Sequence, residues 1–324
     1  MKLRHCLVLS LVATAAALAP TAQSADKFPN RPVRMVISSS PGGTQDTVGR
    51  IVADGLSERL GQPVVTDNRP GANGVVGCEI VAKSNPDGYT MVMVTAGFAV
   101  NPSLRKHLPY DSLRDFAPVG LGGTGPYLLA VHPSVPAKTL PEFIAWVKSR
   151  PGQVNYASVG PGSPPHLAAE LLNSMAGLQT VHVPYKGGGS VLPDLLAGRV
   201  TMFFGSVSTL GSHIRAGRLR GIAVTTPKRV SSMPELPTFD ESGLKGYEVT
   251  GWYGLLAPGK TPKAIVGRLN AEIRSTLADP QIQKRLAARG IDPAPVTPEE
   301  FSALLRREIP KWAKVMKAAG IEPR

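Results

Sequence analysis

Cysteine is nearly missing from this 324-residue sequence, which holds only Cys6 and Cys78. Cys6 precedes an N-terminal apolar stretch that reads as a removable leader, so Cys78 is left without a partner and an internal disulfide is excluded. Packing has to hold the fold. Long apolar runs are also scarce: residues 7–18 form one, and Gly, Pro or charge interrupts each later one. A dozen residues fall short of the ~20 that a helix needs to cross a bilayer. With Lys2 and Arg4 ahead of it and Ala22, Ser24 and Ala25 behind it, the stretch has the form of a secretory signal peptide cleaved near Ser24 or Ala25. Residues 1–25 are therefore expected to be removed and the mature chain to work in the periplasm.

Recognisable catalytic and metal-binding patterns are lacking too. His107, His132, His166, His182 and His213 show neither H-x-x-x-H nor H-E-x-x-H spacing. There is no G-x-S-x-G elbow, and Cys78 falls within a helix-period segment, where it reads as a small buried apolar residue. No metal, cofactor or catalytic residue is expected. The formal net charge is +13, yet the basic residues are scattered. The densest group, Arg215, Arg218 and Arg220, has no aromatics between its members, so a nucleic-acid partner is not expected.

A repeated grammar is present: a β-branched run, a glycine-rich loop, then a helix-period pattern. Residues 33–37 predict a strand, 38–46 a loop, and Val48, Ile51, Val52, Leu56 and Leu60 a helix ending at Gly61. Strands are expected at 64–66 and 89–95, with a helix between them to about Lys83. This βαβαβ order implies a parallel sheet flanked by helices. The second half repeats it. Residues 127–131 are apolar, and Thr139-Leu140-Pro141-Glu142 is a capping box opening a helix to about Ser149. Strands are expected at 154–158, 181–185, 201–204, 219–225 and 247–257, and helices at 166–175, 262–278, 280–289 and 298–319. The fold class is α/β, and two sheet segments in a chain of this size imply two lobes and a cleft.

In such sheets ligands bind beyond the carboxyl ends of strands, where free amides at helix N-termini favour an anion. Four loops fit: residues 38–46, 158–166, 186–190 and 205–208. Asp46 suits a helix cap as well as a ligand contact, and His166 suits helix packing as well as a carboxylate contact. Two tempting motifs fail on context. Gly254 to Thr261 matches G-x-x-x-x-G-K-T, but Leu255, Leu256 and Ala257 continue an apolar strand where the phosphate loop should be flexible. Gly120 to Gly125 matches G-x-G-x-x-G, but a strand-like segment follows it where a dinucleotide site needs a helix.

Taken together and in order, several strings carry a specific likeness. They include Pro41-Gly42-Gly43-Thr44-Gln45-Asp46, Asn68-Arg69-Pro70-Gly71-Ala72, Pro86-Asp87-Gly88-Tyr89-Thr90, Leu108-Pro109-Tyr110-Asp111, Pro165-His166-Leu167-Ala168-Ala169-Glu170 and His182-Val183-Pro184-Tyr185-Lys186-Gly187. The sequence resembles the Bug family, the extracytoplasmic solute receptors of tripartite tricarboxylate transporters. That resemblance implies a periplasmic binding protein fold of two lobes, each a mainly parallel sheet flanked by helices, joined by crossing strands. Lobe 1 would comprise residues 26–125 and 250–324, and lobe 2 residues 126–249. It implies a small carboxylate held in the cleft, largely through backbone groups, and delivered to the membrane permease subunits of the transporter. A monomer is expected. Ligand-binding residues would be Ser40, Gly42, Gly43, Thr44 and Asp46 from the first loop and Ser158, Gly162, Ser163 and His166 from the second. Gly187, Gly188 and Ser206 would come from the other two. Two departures stand out: Ser38, Ser39 and Ser40 replace the Phe or Ala common in relatives, and Gly205 stands where many relatives place Asp. If that Asp receives a substrate amino group, its absence argues against an amino-acid ligand. Alternative readings are a receptor feeding a sensor kinase and, from a different class, an exported hydrolase with a cleft Ser and His.

Overall fold

The computed structural model describes residues 28–185, 188–230 and 232–323. The expected leader, its cleavage site and Gly187 lie outside the described residues. The first half opens with β1 (Val33–Ile37), α1 (Thr44–Leu60), β2 (Val64–Asn68), α2 (Val75–Ala82), β3 (Thr90–Thr95) and α3 (Gly97–Leu104). β1 lies between β2 and β3 and pairs parallel to both, and its Val33, Met35, Val36 and Ile37 are fully buried. Burial on both faces is the usual fate of a parallel strand and accounts for its continuous apolar run. α1 stops where expected, because Gly61 takes the left-handed conformation (φ 65°) and its N–H closes onto the carbonyl of Ser57.

The second half follows the same plan with α4 (Leu140–Lys148), β5 (Asn155–Ser158), α5 (Pro164–Ala176), β6 (Val181–Pro184), α6 (Gly188–Leu196), β7 (Met202–Ser206), α7 (Val207–Arg215) and β8 (Arg220–Val224). β5 pairs parallel to β6 and β7. α4 begins at the expected capping box: Glu142 N–H donates to Thr139 Oγ1 at 3.4 Å, and Thr139 N–H donates back to Glu142 Oε2 at 3.2 Å. Thr139→Ala is expected to cost about 1 kcal/mol in urea unfolding without changing ligand affinity, since the cap lies outside the ligand cavity described below.

Two long strands join the halves. β4 (Phe116–Val131) pairs antiparallel with β9 (Thr250–Pro258) over residues 116–126, then changes partners to β7 and β8 over residues 127–131. The strand order is β2-β1-β3-β9-β4-β7-β5-β6, with β8 also on β4. Three helices follow β9: α8 (Lys263–Leu277), α9 (Pro280–Ala287) and α10 (Pro298–Ala318). α10 packs against α3 and β4 and also against α5, so it spans both halves. Its Phe301 and Trp312 belong to one continuous core that includes Phe98 and Val94 from the first half and Phe143 and Tyr156 from the second.

The strand expected at 127–131 begins instead at Phe116, and the glycines of the false dinucleotide motif lie inside it. A Cβ on Gly120 would meet Asn270 Nδ2 at 2.9 Å, and Cβ atoms on Gly123 and Gly125 would meet Ile291 at 2.6 and 2.8 Å. These glycines therefore let neighbouring elements approach the strand, a role that leaves no helix-forming signal. Likewise Gly254, in the false phosphate motif, sits in β9 against the Phe301 ring with no room for a Cβ. Helix α3 was not expected, and α6 and α7 were implied only by the loops at 186–190 and 205–208 that lead into them. Each is only eight or nine residues long, and their starts are rich in Gly or Ser.

Candidate functional site

Two loops and the β3–α3 junction of the first half, with two loops of the second, line an open cavity of about 640 Å³. The first wall is the turn between β1 and α1. Ser38 Oγ donates to the carbonyl of Met93 at 3.0 Å, and Gln45 Nε2 donates to both that carbonyl (2.7 Å) and Ser38 Oγ (2.9 Å), which ties the turn to β3. Ser39, Ser40, Gly43 and Thr44 then face the cavity, and Ser39 Oγ is buried without a hydrogen-bond partner. A buried hydroxyl left unpaired is costly unless something else supplies its partner.

The second wall is the turn before α2. Ala72 and Asn73 are left-handed (φ 52° and 58°), which is uncommon for residues other than glycine. α3 holds them there. Arg105 Nη2 donates to the Ala72 carbonyl at 3.0 Å, Asn101 Nδ2 donates to the Asn73 carbonyl at 3.2 Å, and Asn73 Nδ2 donates to Asn101 Oδ1 at 3.0 Å. Backbone strain kept by surrounding structure concentrates at ligand clamps.

From the second half, the turn between β5 and α5 and the start of α7 complete the cavity. Ser163, Pro164, Pro165, Gly205, Ser206 and Thr209 line it. Ser163 Oγ donates to the Gly160 carbonyl at 2.6 Å, and Ser206 Oγ accepts from Thr209 N–H at 3.3 Å. Tyr127 of β4 and Tyr253 of β9 line the cavity near the point where β4 leaves β9 for β7 and β8. Their phenols interact with each other, and Tyr253 also interacts with Thr44; burial pushes Tyr127 up to about 12, so both stay neutral donors. Val94, Phe98, Val159 and Phe203 supply an apolar side. Cys78 also lines it, with burial pushing its thiol up to about 12. No lining residue among those described carries a formal charge.

Ser40, Gly43, Thr44, Ser163 and Ser206 of the expected set are thus brought together on the cavity wall. Asp46, Ser158, Gly162 and His166 are buried behind it, and Gly42 is exposed and does not line it. Asp46 is 4% exposed and accepts from Gly42 N–H (2.9 Å), Asn68 Nδ2 (2.9 Å) and Arg50. Against the upward pull of burial, Arg50, Gly42 and Asn68 hold its carboxyl below the ordinary range. Ser158 is fully buried, with Oγ 2.6 Å from His182 Nε2. His166 is 3% exposed and accepts from Gly162 N–H through Nδ1 at 3.0 Å. Gly188 is the first residue of α6. Asn73, Thr95, Tyr127, Tyr253 and Thr209 were not expected. Asn73 alone had a legible signal, since residues 68–74 are also a glycine-rich turn between strand and helix.

The helix ends define what the cavity can hold. α1 and α5 both point their N-termini at it, and neither Gly43 nor Ser163 at the cap position hydrogen-bonds to the helix through a side chain. The first amides of α1 therefore stay open. In α5 the prolines at 164 and 165 have no N–H, so the free donor is that of His166. Open amides, the positive ends of two helix dipoles and a ring of hydroxyls suit a small anion.

A ligand-sized cavity between two α/β halves joined by crossing strands is the architecture of a periplasmic binding protein. The chain belongs to the tripartite tricarboxylate transporter receptor family, whose model matches residues 48–321. It is 39% identical over 311 residues to the UPF0065 protein in the tcbD-tcbE intergenic region of Pseudomonas sp. strain P51, covering 95% of this chain and 93% of that one. It is 37% identical to protein BugT of Bordetella pertussis, covering 95% of both. Among solved structures it is similar to R. palustris Rpa4515 with adipate (36% identity, TM-score 0.82, 92% of this chain and 100% of that one). It is also similar to MatC from Rhodopseudomonas palustris with bound malate (32% identity, TM-score 0.78, 89% and 99%). A further similar structure is that of periplasmic binding protein BugD (35% identity, TM-score 0.79, 92% of this chain and 100% of that one), and the expected likeness to Bug receptors is thus borne out. Among the described residues no helix is long and apolar enough to cross a membrane.

Proposed function

We propose that this protein is a periplasmic receptor that closes around a small carboxylate and hands it to a membrane permease. The observation that carries this reading is the uncharged, hydroxyl-rich cavity onto which two uncapped helices open. The dicarboxylates held by two similar structures, adipate and malate, are of the same class. The lobes would divide at residues 125/126 and 249/250, close to where β4 changes partners and β9 begins. Closure would be stabilised by contacts from both lobes to one ligand. Ser40, Gly43, Thr44, Ser163 and Ser206 would touch it.

Gly205 refines the ligand class. It lines the cavity, and a Cβ there would come within 2.5 Å of Leu210 Cδ1. With no carboxylate on the described wall, an ammonium group has no partner, so the ligand is read as an anion without a positive centre. A hydrolase with a cleft Ser and His fits less well, because Ser158, hydrogen-bonded to His182, is fully buried behind the wall. Thermal unfolding with a millimolar panel of carboxylates is the test. Malate, adipate or a related dicarboxylate should raise Tm by several degrees, as ligation at about 100 times Kd adds about 2.7 kcal/mol. Aspartate and glutamate should not. A shift with amino acids alone, or turnover of any panel member, would overturn the reading.

A further inference from the structure

Two loops on opposite sides of the cavity are built to one plan. Pro41-Gly42-Gly43 leads into α1, and Pro161-Gly162-Ser163 leads into α5. In each, the glycine preceding the cap residue is left-handed, with φ 83° at Gly42 and 75° at Gly162. In each, the third residue of the helix reaches back to that glycine's N–H: Asp46 Oδ2 at 2.9 Å and His166 Nδ1 at 3.0 Å. An ordinary capping box would instead spend a cap side chain on the helix amides, as Thr139 does for α4 and Thr297 for α10. Glu142 of α4 also accepts from the N–H one residue before its cap, that of Lys138 at 2.7 Å, but there Thr139 occupies a helix amide as well; in α1 and α5 the reach back secures the loop while no cap side chain takes a helix amide.

We propose that Asp46 and His166 are matched positioning residues, one per lobe, which hold the two cavity loops so that the first amides of α1 and the single free amide of α5, that of His166, stay open to the ligand. The proposal rests on the anion-binding reading above. The difference in residue type follows from the surroundings. Asp46 meets Arg50 at 3.0 Å and Asn68 at 2.9 Å, so a charged acceptor is satisfied there. Among the described residues no cation acts on His166. Its ring stacks on His182 (centroids 4.3 Å apart) and Tyr156 (6.2 Å), and the half-buried Glu170, which accepts from Tyr156, lies one turn further along α5. A carboxylate at position 166 would be buried and unpaired, whereas a neutral imidazole supplies the same acceptor without that cost. His182 in turn holds Ser158 Oγ, so both ends of the second loop are anchored to one stack. Its tip is also where the lobes meet, since the space beside Gly162 is taken by Leu104 of α3, with Asn73 next to it.

The test separates acceptor from ring. His166→Phe keeps a stackable ring and removes the acceptor; His166→Asn removes the ring and returns an acceptor oxygen near the Nδ1 position. Amide hydrogen exchange is read at Gly162 in the unliganded full mature chain, and binding of adipate and malate is measured by calorimetry. Exchange at Gly162 should accelerate at least about tenfold in His166→Phe and stay within about threefold of wild type in His166→Asn, as loss of one buried hydrogen bond implies. Affinity for whichever dicarboxylate binds should follow the same order. Wild-type exchange in His166→Phe, or equal acceleration in both variants, overturns the proposal. If His166→Phe does not fold, Asp46→Ala against Asp46→Asn, read at Gly42, decides by the same criteria. If neither dicarboxylate binds the wild type, the carboxylate reading fails, while the exchange result still decides whether these side chains hold the loops.

Discussion

Replacing Ser163 with aspartate is expected to weaken dicarboxylate binding at least about a hundredfold while leaving the unliganded protein folded. Ser163 is the cap residue of α5, is 5% exposed and lines the cavity. Taken at a separation of about 5 Å, a carboxylate there would repel a bound carboxylate. At an effective dielectric of about 20 the repulsion between two unit charges at that distance is about 3 kcal/mol, more than a hundredfold in affinity. The effect on the free protein has the opposite sign. Aspartate is a favoured cap residue and interacts well with the helix dipole, which offsets the lost hydroxyl bond to the Gly160 carbonyl. Stability and affinity should therefore separate: Tm without ligand near wild type, and calorimetric binding of the panel's best ligand nearly gone. Ser163→Asn, similar in size and uncharged, should retain affinity within several-fold. Wild-type affinity in Ser163→Asp would remove the α5 terminus from the ligand site.

What could be read from the sequence tracks how local each signal is. The turns that deliver Gly42 and Gly162 were legible because glycine between a β-branched run and a helical pattern is itself the backbone signal. The capping box at Thr139 was legible because all its parts lie within four residues. The reach of β4 was not, because Gly120, Gly123 and Gly125 are there for Asn270 and Ile291, which lie far along the chain. The same holds for the site. Hydroxyls on the expected loops face the cavity, but Tyr127 and Tyr253 meet only because β4 and β9 pair antiparallel, and no spacing in either segment announces the other. Asp46 and His166 were read as either helix or ligand residues. Geometry makes them structural and sets them next to the cavity wall, a combination that one-dimensional patterns do not separate.

The His166 stack also sets how the protein should respond to acid. Burial, with His182 adding to it, lowers His166 to about 3, far under the ordinary value of 6.5. A histidine that is harder to protonate when folded stabilises the fold fully above 6.5, and this contribution is lost as pH falls toward 3. Between pH 7.5 and pH 5 the loss is about 2 kcal/mol, since the unfolded chain takes up a proton there and the folded one does not. His182, also lowered by burial, contributes with the same sign. Glu170 acts in the opposite sense, because burial raises its carboxyl and its protonation in acid favours the fold. Tyr156 is pushed upward by burial and does not titrate in this range. Comparing variants isolates the histidine: urea unfolding at pH 7.5 and pH 5 should show a pH-dependent loss about 2 kcal/mol smaller in His166→Asn than in wild type. Equal losses in the two proteins would mean that His166 takes up a proton in the folded state as readily as in the unfolded one. The ring could not then remain a neutral acceptor for Gly162 below neutral pH, and the loop would open in mild acid before the rest of the fold.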